Sequence, residues 1–160
     1  MAVNEHSKLT VELPSDTEIV MKRTFDAPRH LVFDAFTKPE HVAHWWGPRG
    51  TTLSVCTLDA RPGGRWRMVI RDANGDENGF GGEVREVRPP ERFVWTFGWD
   101  GMPGEGPEEF TFEERGGKTT VMTRSIFPDK ESRDRVLQSG MEKGAAESYD
   151  RLEEHLATLA

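Results

Sequence analysis

From Asp129 to the C-terminus the chain carries no proline, and small or apolar residues recur at steps of three and four: Val136, Leu137, Gly140, Met141, Gly144, Ala145, Ser148, Tyr149, Leu152, Leu156 and Leu159. That spacing draws one stripe down one helix. Arg133, Arg135, Glu142, Lys143, Glu147, Asp150, Arg151, Glu153 and Glu154 fall on the other face. Asp129 after Pro128 is the expected N-cap, with Ser132 the alternative. The pattern predicts one helix over about 130–157, on the order of 40 Å long at about 1.5 Å per residue. Nothing upstream reads as helix for more than three turns, so the rest of the chain must supply the surface on which this helix lies.

The middle of the stripe is small: Gly140, Gly144, Ala145 and Ser148, flanked by Val136 and Leu137 on one side and Tyr149 and Leu152 on the other. Each glycine costs roughly 1 kcal/mol in a helix interior. Two arrangements fit such a waist. The helix approaches a strand or a second chain closely, which leaves a homodimer open; or it leaves a gap over the sheet that becomes a pocket. Spacing alone does not choose between them.

The upstream chain reads mostly at period two. Leu9, Val11 and Leu13 form a short alternating strand, and 17–25 a stronger one. Leu31, Val32, Ala35 and Phe36 are at helical spacing, with Asp26 as the expected cap and Pro28 in the first turn. Pro39 starts a second short helix ending near Trp46. Strands are then expected at 52–59, 65–71, 77–87, 92–99, 109–114 and 118–127, separated by turn signals such as Asn74-Gly75 and Gly116-Gly117. Gly79, Gly81 and Gly82 suggest a bulge or bend. Gly101 to Pro107 reads as a loop. Alternation predicts Trp66, Met68, Phe93, Trp95 and Phe97 on one concave face and Arg65, Arg67 and Arg71 on the convex one. Consecutive hairpins of this kind make one antiparallel sheet of six to seven strands, and the long helix is the available cover.

A length of 160 residues fits a single domain, 1–160, with an ordered core of about 9–158. Residues 1–7 and 157–160 are expected to be disordered. The net charge of −7 argues against nucleic acid as a partner. Cys56 is the only cysteine, so no internal disulfide forms, which fits a reducing compartment. The first 25 residues lack the apolar run of a signal peptide, and no stretch approaches about 20 apolar residues. The expectation is a cytoplasmic protein with no membrane association.

Three stretches resemble a known family in order: FDAPRHLVFDAFTKPEHVAHWWGP at 25–48, LDARPGGRWRM at 58–68 and GMEKGAAESYDRL at 140–152. They resemble the START-related superfamily often called SRPBCC. Within it they are similar to the branch named for the C-terminal domain of the activator of the heat-shock protein 90 ATPase, to which the calicheamicin-resistance protein is related. The resemblance implies an α+β helix-grip fold with a cavity for hydrophobic small molecules between sheet and helix. Many members of that branch carry a tryptophan directly after the glycine that is Gly144 here, where this chain has Ala145. The missing indole removes on the order of 100 Å³ of filler, leaving a larger pocket or room that a side chain such as Trp95 occupies.

The expected cavity lies between the sheet and Val136 to Tyr149, with its mouth near Gly101 to Pro107 and its far end sealed by Leu152 and Leu156. The candidate ligand-binding residues are Trp66, Met68, Trp95, Phe97, Trp99, Met141, Ala145 and Tyr149, with the Tyr149 hydroxyl as a polar anchor. No residue is singled out as catalytic. Asp59 is expected to bond the amides of the following Arg-Pro-Gly-Gly turn, Glu86 and Arg124 to form a surface pair, and Cys56 to be a small core residue. His41 and His44 form an H-x-x-H without a third ligand, so no metal site and no cofactor are implied. The reading is therefore binding of an apolar or aromatic small molecule. The alternatives are a polyketide cyclase or dehydratase-like enzyme, favoured by two or more buried ionisable groups on the cavity wall, and a chaperone-associated interaction module.

Overall fold

The computed structural model describes residues 8–159. Its elements are β1 (Thr10–Glu12), β2 (Glu18–Phe25), α1 (Arg29–Thr37), α2 (Pro39–Trp45), β3 (Thr52–Leu58), β4 (Arg65–Arg71), β5 (Glu77–Arg88), β6 (Arg92–Trp99), β7 (Glu105–Arg115), β8 (Lys118–Ile126), α3 (Lys130–Gln138) and α4 (Met141–Ala157). The eight strands form one curved antiparallel sheet in the order β1-β2-β8-β7-β6-β5-β4-β3. Strands β3 to β8 run as consecutive hairpins, and the α1–α2 excursion carries the chain from β2 to β3 at the far edge.

Alternation decides the faces as expected. Trp66, Met68, Phe93 and Trp95 are buried and Phe97 half-buried, while Arg65 and Arg71 are exposed. Arg67 lies on the outer face in a two-pronged pair with Asp100, at 2.8 and 2.7 Å. The glycines of β5 reflect close neighbours: a Cβ on Gly82 would collide with the Thr96 carbonyl oxygen. The register shift in this strand falls next to them, between Val84 and Glu86.

The C-terminal segment differs from the expected single helix. It is two helices, broken at Ser139–Gly140, with Gly140 left-handed at φ 86°. A glycine takes that conformation without the Cβ penalty other residues meet, and so ends one helix and starts another. Asp129 caps α3 as expected, its carboxylate accepting from the Ser132 amide at 2.7 Å. Asp26 does not cap α1, whose N-cap position is Pro28. The Arg29 amide there donates to Glu114 at 2.7 Å. Strand β7 begins at Glu105, four residues before the predicted 109. Residues 157–159 are not disordered: α4 runs to Ala157, and the Leu159 amide donates to the Leu156 carbonyl at 3.0 Å. The expectation for residues 1–7 and Ala160 lies outside the described residues.

The second half of α4 is the anchor. Leu152 and Leu156 are 0% and 3% exposed, each worth roughly 1.5–3 kcal/mol of burial. Arg23 of β2 is enclosed beneath the helix and bonds Asp150 at 2.6 Å and Glu153 at 3.1 Å. Arg151 reaches the other way and donates to the Gly47 carbonyl at 2.9 Å. The distal half of α4 is thereby held to both the sheet and the loop after α2, while its first half, from Met141 to Ser148, is only half-buried apart from an exposed Lys143.

Candidate functional site

A cavity of about 560 Å³ lies between the sheet and the α3–α4 segment. Its existence follows from the small waist. A Cβ built on Gly144, which is half-buried and borders the cavity, meets no atom within 4 Å. Within this chain the waist therefore leaves a gap over the sheet rather than resting on a tightly packed strand. Leu152 and Leu156 do not seal its far end as expected: they lie outside the lining, in the hydrophobic core.

Of the eight candidate residues, Trp95, Phe97, Trp99, Met141, Ala145 and Tyr149 border this space, and Trp66 and Met68 do not. Trp66 stands behind Trp95: the two rings stack with centroids 3.8 Å apart and an 11° interplanar angle. Its indole nitrogen donates to the Thr96 carbonyl at 2.9 Å. Met68 is 0% exposed. Both support the wall without forming it. Additional wall is supplied by Trp46 and Phe80, whose rings meet edge to face at 5.1 Å, and by Phe36, Trp45, Phe93 and Phe110. The exposed lining residues Asp76, Glu77, Asn78, Pro103, Gly104, Glu105, Pro107, Pro128, Ser139 and Gly140 mark the open end. The mouth thus lies between the β4–β5 turn, the β6–β7 turn and the helix break.

The strongest polar feature was not anticipated. Register places Trp95, Glu108 and Ser125 side by side on β6, β7 and β8. The Trp95 indole donates to one oxygen of Glu108 and the Ser125 hydroxyl to the other, both at 2.8 Å. Glu108 sits deep in the fold yet keeps some accessible surface, because it borders the cavity. Burial pushes its carboxyl above the ordinary value, against the lowering effect of the two hydrogen bonds. One pair further along, Thr123 of β8 meets the Tyr149 hydroxyl at 3.3 Å. Tyr149 is also pushed up, first by burial and then by the charge of Glu108. An apolar cavity thus has one polar floor, made by Glu108, Ser125, Thr123 and Tyr149.

The other sequence candidates fall elsewhere. Asp59 bonds Arg61 at 2.9 Å rather than the turn amides. Glu86 and Arg124 are not partners: Glu86 pairs with Arg88 at 2.7 Å and Arg92 at 3.3 Å, and Arg124 with Glu18 at 3.2 Å. Cys56 is half-buried, with burial raising its pKa. His41 and His44 meet a third histidine from α4: His41 Nδ1 is 3.0 Å from His155 Nε2, and the His44 ring stacks on His155 at 4.7 Å. Among the described residues no group of three or more His, Cys, Asp or Glu side chains is arranged to hold a metal ion. No helix among them is long and apolar enough to cross a membrane.

An antiparallel sheet gripping a C-terminal helix over an internal cavity is the helix-grip architecture of the START-related SRPBCC proteins. Within that class, the chain belongs to the family of Activator of Hsp90 ATPase homolog 1-like proteins, which its residues 26–157 match. Among solved structures it is similar to a protein from Rhodobacter sphaeroides, with 26% identity, 94% of this chain and 99% of that chain covered, and a TM-score of 0.89. It is also similar to the AHSA1 protein from Silicibacter pomeroyi, with 25% identity, coverage of 89% and 99%, and a TM-score of 0.74. A protein from Chromobacterium violaceum matches at 27% identity, coverage of 86% and 95%, and a TM-score of 0.74. No match to the sequence is found among curated proteins. The family's fold is consistent with binding of a hydrophobic ligand.

Proposed function

We propose that this protein binds a hydrophobic or aromatic small molecule in the cavity under the first half of α4. The observation that carries the reading is the empty space facing Gly144, within a cavity of about 560 Å³ walled mostly by aromatic and aliphatic side chains. That volume falls in the range of small-molecule sites, which are largely apolar with a few convergent polar groups. Trp95, Phe97, Trp99, Met141, Ala145 and Tyr149 are the proposed contacts.

The test is a titration with Nile red, a neutral dye, on wild-type protein and on Ala145→Trp. The indole added at Ala145 takes up on the order of 100 Å³ of a cavity of about 560 Å³, so dye binding is expected to weaken while the melting temperature holds. Unchanged dye binding in the variant, or the loss of about 1–3 kcal/mol of stability that overpacking causes, sinks the reading.

Glu108 favours a second reading, an enzyme that moves a proton within the cavity. Its carboxyl has a raised pKa and borders the cavity beside Tyr149, as a general acid or base requires. Turnover of a bound molecule that stops in Glu108→Gln, with binding kept, distinguishes this from simple binding.

A further inference from the structure

We infer that the cavity selects a lipophilic cation, an apolar aromatic body carrying a protonated amine that docks at Glu108. The inference rests on the reading that the cavity holds a small molecule, and adds the chemical class.

The first observation is the sign of the wall. Among the described residues the lining contains Asp72, Asp76, Glu77, Glu105 and Glu108, and no Lys, Arg or His. Asp72 is engaged by its own turn, accepting from the amides of Asn74 and Asp76 at 2.9 and 3.0 Å. Glu77 and Glu105 are held by arginines on the outer face, with Arg71 at 3.1 Å and Arg65 at 3.7 Å. A ligand carboxylate, sulfate or phosphate entering this mouth would pass carboxylates, two of them already paired with outer-face arginines, and find no Lys, Arg or His on the lining to receive it.

The second observation is the state of Glu108. It stands deep in the cavity with two neutral donors and, among the described residues, no ion pair. A carboxylate accepts about four hydrogen bonds, so each oxygen keeps a lone pair after Trp95 and Ser125 are served. The buried cation whose charge reaches this region is Arg23, which is felt at Tyr149. It is already occupied by Asp150 and Glu153. Among the described residues Glu108 therefore has no positive partner, and a ligand would have to bring one. Burial disfavours its charged form, and a cation seated beside it offsets part of that penalty.

The third observation is the ring system. Trp95, Phe97 and Trp99 border the same space, and an ammonium close to such faces gains cation–π attraction that an alcohol or a carboxylate does not.

The test uses three probes with one skeleton: 1-pyrenemethylamine, 1-pyrenemethanol and 1-pyrenecarboxylic acid, titrated into the full-length protein at pH 7 by tryptophan-to-pyrene energy transfer. The expected order is amine tightest and acid weakest, with the amine ahead of the alcohol by roughly tenfold, the worth of one charge-assisted hydrogen bond. Glu108→Gln is expected to bring amine and alcohol within about threefold of each other. Equal binding of all three probes by the wild type overturns this inference and leaves the binding site standing. So does an amine preference that persists in a folded Glu108→Gln. Binding of none of them overturns the site and the inference together. If Glu108→Gln does not fold, the wild-type ranking decides alone.

Discussion

Gly144→Ala is the perturbation that most directly weighs the cavity against a packed interface. Gly144 lies in the first turn of α4, its amide donating to the Gly140 carbonyl at 3.1 Å. Its φ is not among the positive values recorded for the chain's glycines, so an L side chain fits its backbone. An added Cβ would meet no atom within 4 Å. The steric term is therefore close to zero, and what remains is the helix preference of alanine over glycine, about 0.5–1 kcal/mol in alanine's favour and acting largely through the unfolded chain. In a chain of this size a gain of 1 kcal/mol raises the melting temperature by about 2–4 °C. Urea unfolding with an unchanged m-value, together with thermal melts, measures it. Gly140→Ala is the control. Its Cβ also meets nothing within 4 Å, but φ is 86°, so alanine there costs about 1–2 kcal/mol. The same substitution four residues apart should thus change stability with opposite sign. A Gly144→Ala protein destabilised by 1 kcal/mol or more would mean that the helix rests on the sheet at this point, and the reasoning for the cavity would fail.

Glu108 has a folded-state pKa raised above its ordinary 4.5, so its contribution to stability is fully present below about 4.5 and is lost as pH rises through the folded value. Glu108→Gln should accordingly gain stability relative to wild type on going from pH 4 to pH 8, as read by melting temperature against pH; a flat difference refutes this. His155 behaves in the opposite sense. Burial first, then His44 and His41, hold its pKa below 6.5, so its contribution is present above that pH and is lost as pH falls through the lower folded value. His155→Gln should make the acid side of the stability profile shallower, and an unchanged slope between pH 7 and pH 5 counts against the cluster. Arg23→Ala, which empties an enclosed site and frees Asp150 and Glu153, should cost about 2–4 kcal/mol. Arg67→Ala, which breaks the exposed pair with Asp100, should cost less than about 1 kcal/mol. Chemical denaturation of the two variants gives the comparison, and equal losses would refute it.

Where a residue's neighbours in sequence decide its environment, the sequence was legible. Phe93, Trp95 and Phe97 alternate with Val94, Thr96 and Gly98, and one register satisfies them all. The errors lie where a distant element decides. Gly106 and Pro107 read locally as loop, but in the fold they extend β7 beyond the first residue that pairs with β8, Glu108. At Gly106 and Pro107 the strand is paired on one side only, so the missing N–H of Pro107 leaves no ladder bond open on a second side. The break at Ser139–Gly140 escaped for a different reason. An apolar stripe continues through the two-residue interruption, and Val136, Leu137, Met141 and Ala145 all still pack against the core. The Ser-Gly pair was the available signal, since a glycine at a helix end and a glycine inside a helix look alike until a φ angle is known.

Glu108 was also within reach. It is two residues before Phe110 and four before Phe112, both buried, so alternation puts its carboxylate on the inward face of β7 as soon as the strand is started at its true position. A carboxylate in register with two buried phenylalanines departs from the pattern that stabilises a sheet, because desolvating it costs free energy that two neutral hydrogen bonds only partly return. Gly144 within a helix and the broken helix at Gly140 are departures of the same kind, each weaker locally than the obvious alternative. They are far apart in sequence from Glu108, and nothing in the packing of the core requires the three to coincide. All three border the same cavity. Such departures gather at sites shaped for something other than stability. This clustering supports the reading that the open space under α4 is the working part of the molecule, with Leu152, Leu156 and Arg23 holding the other half of the helix in place around it.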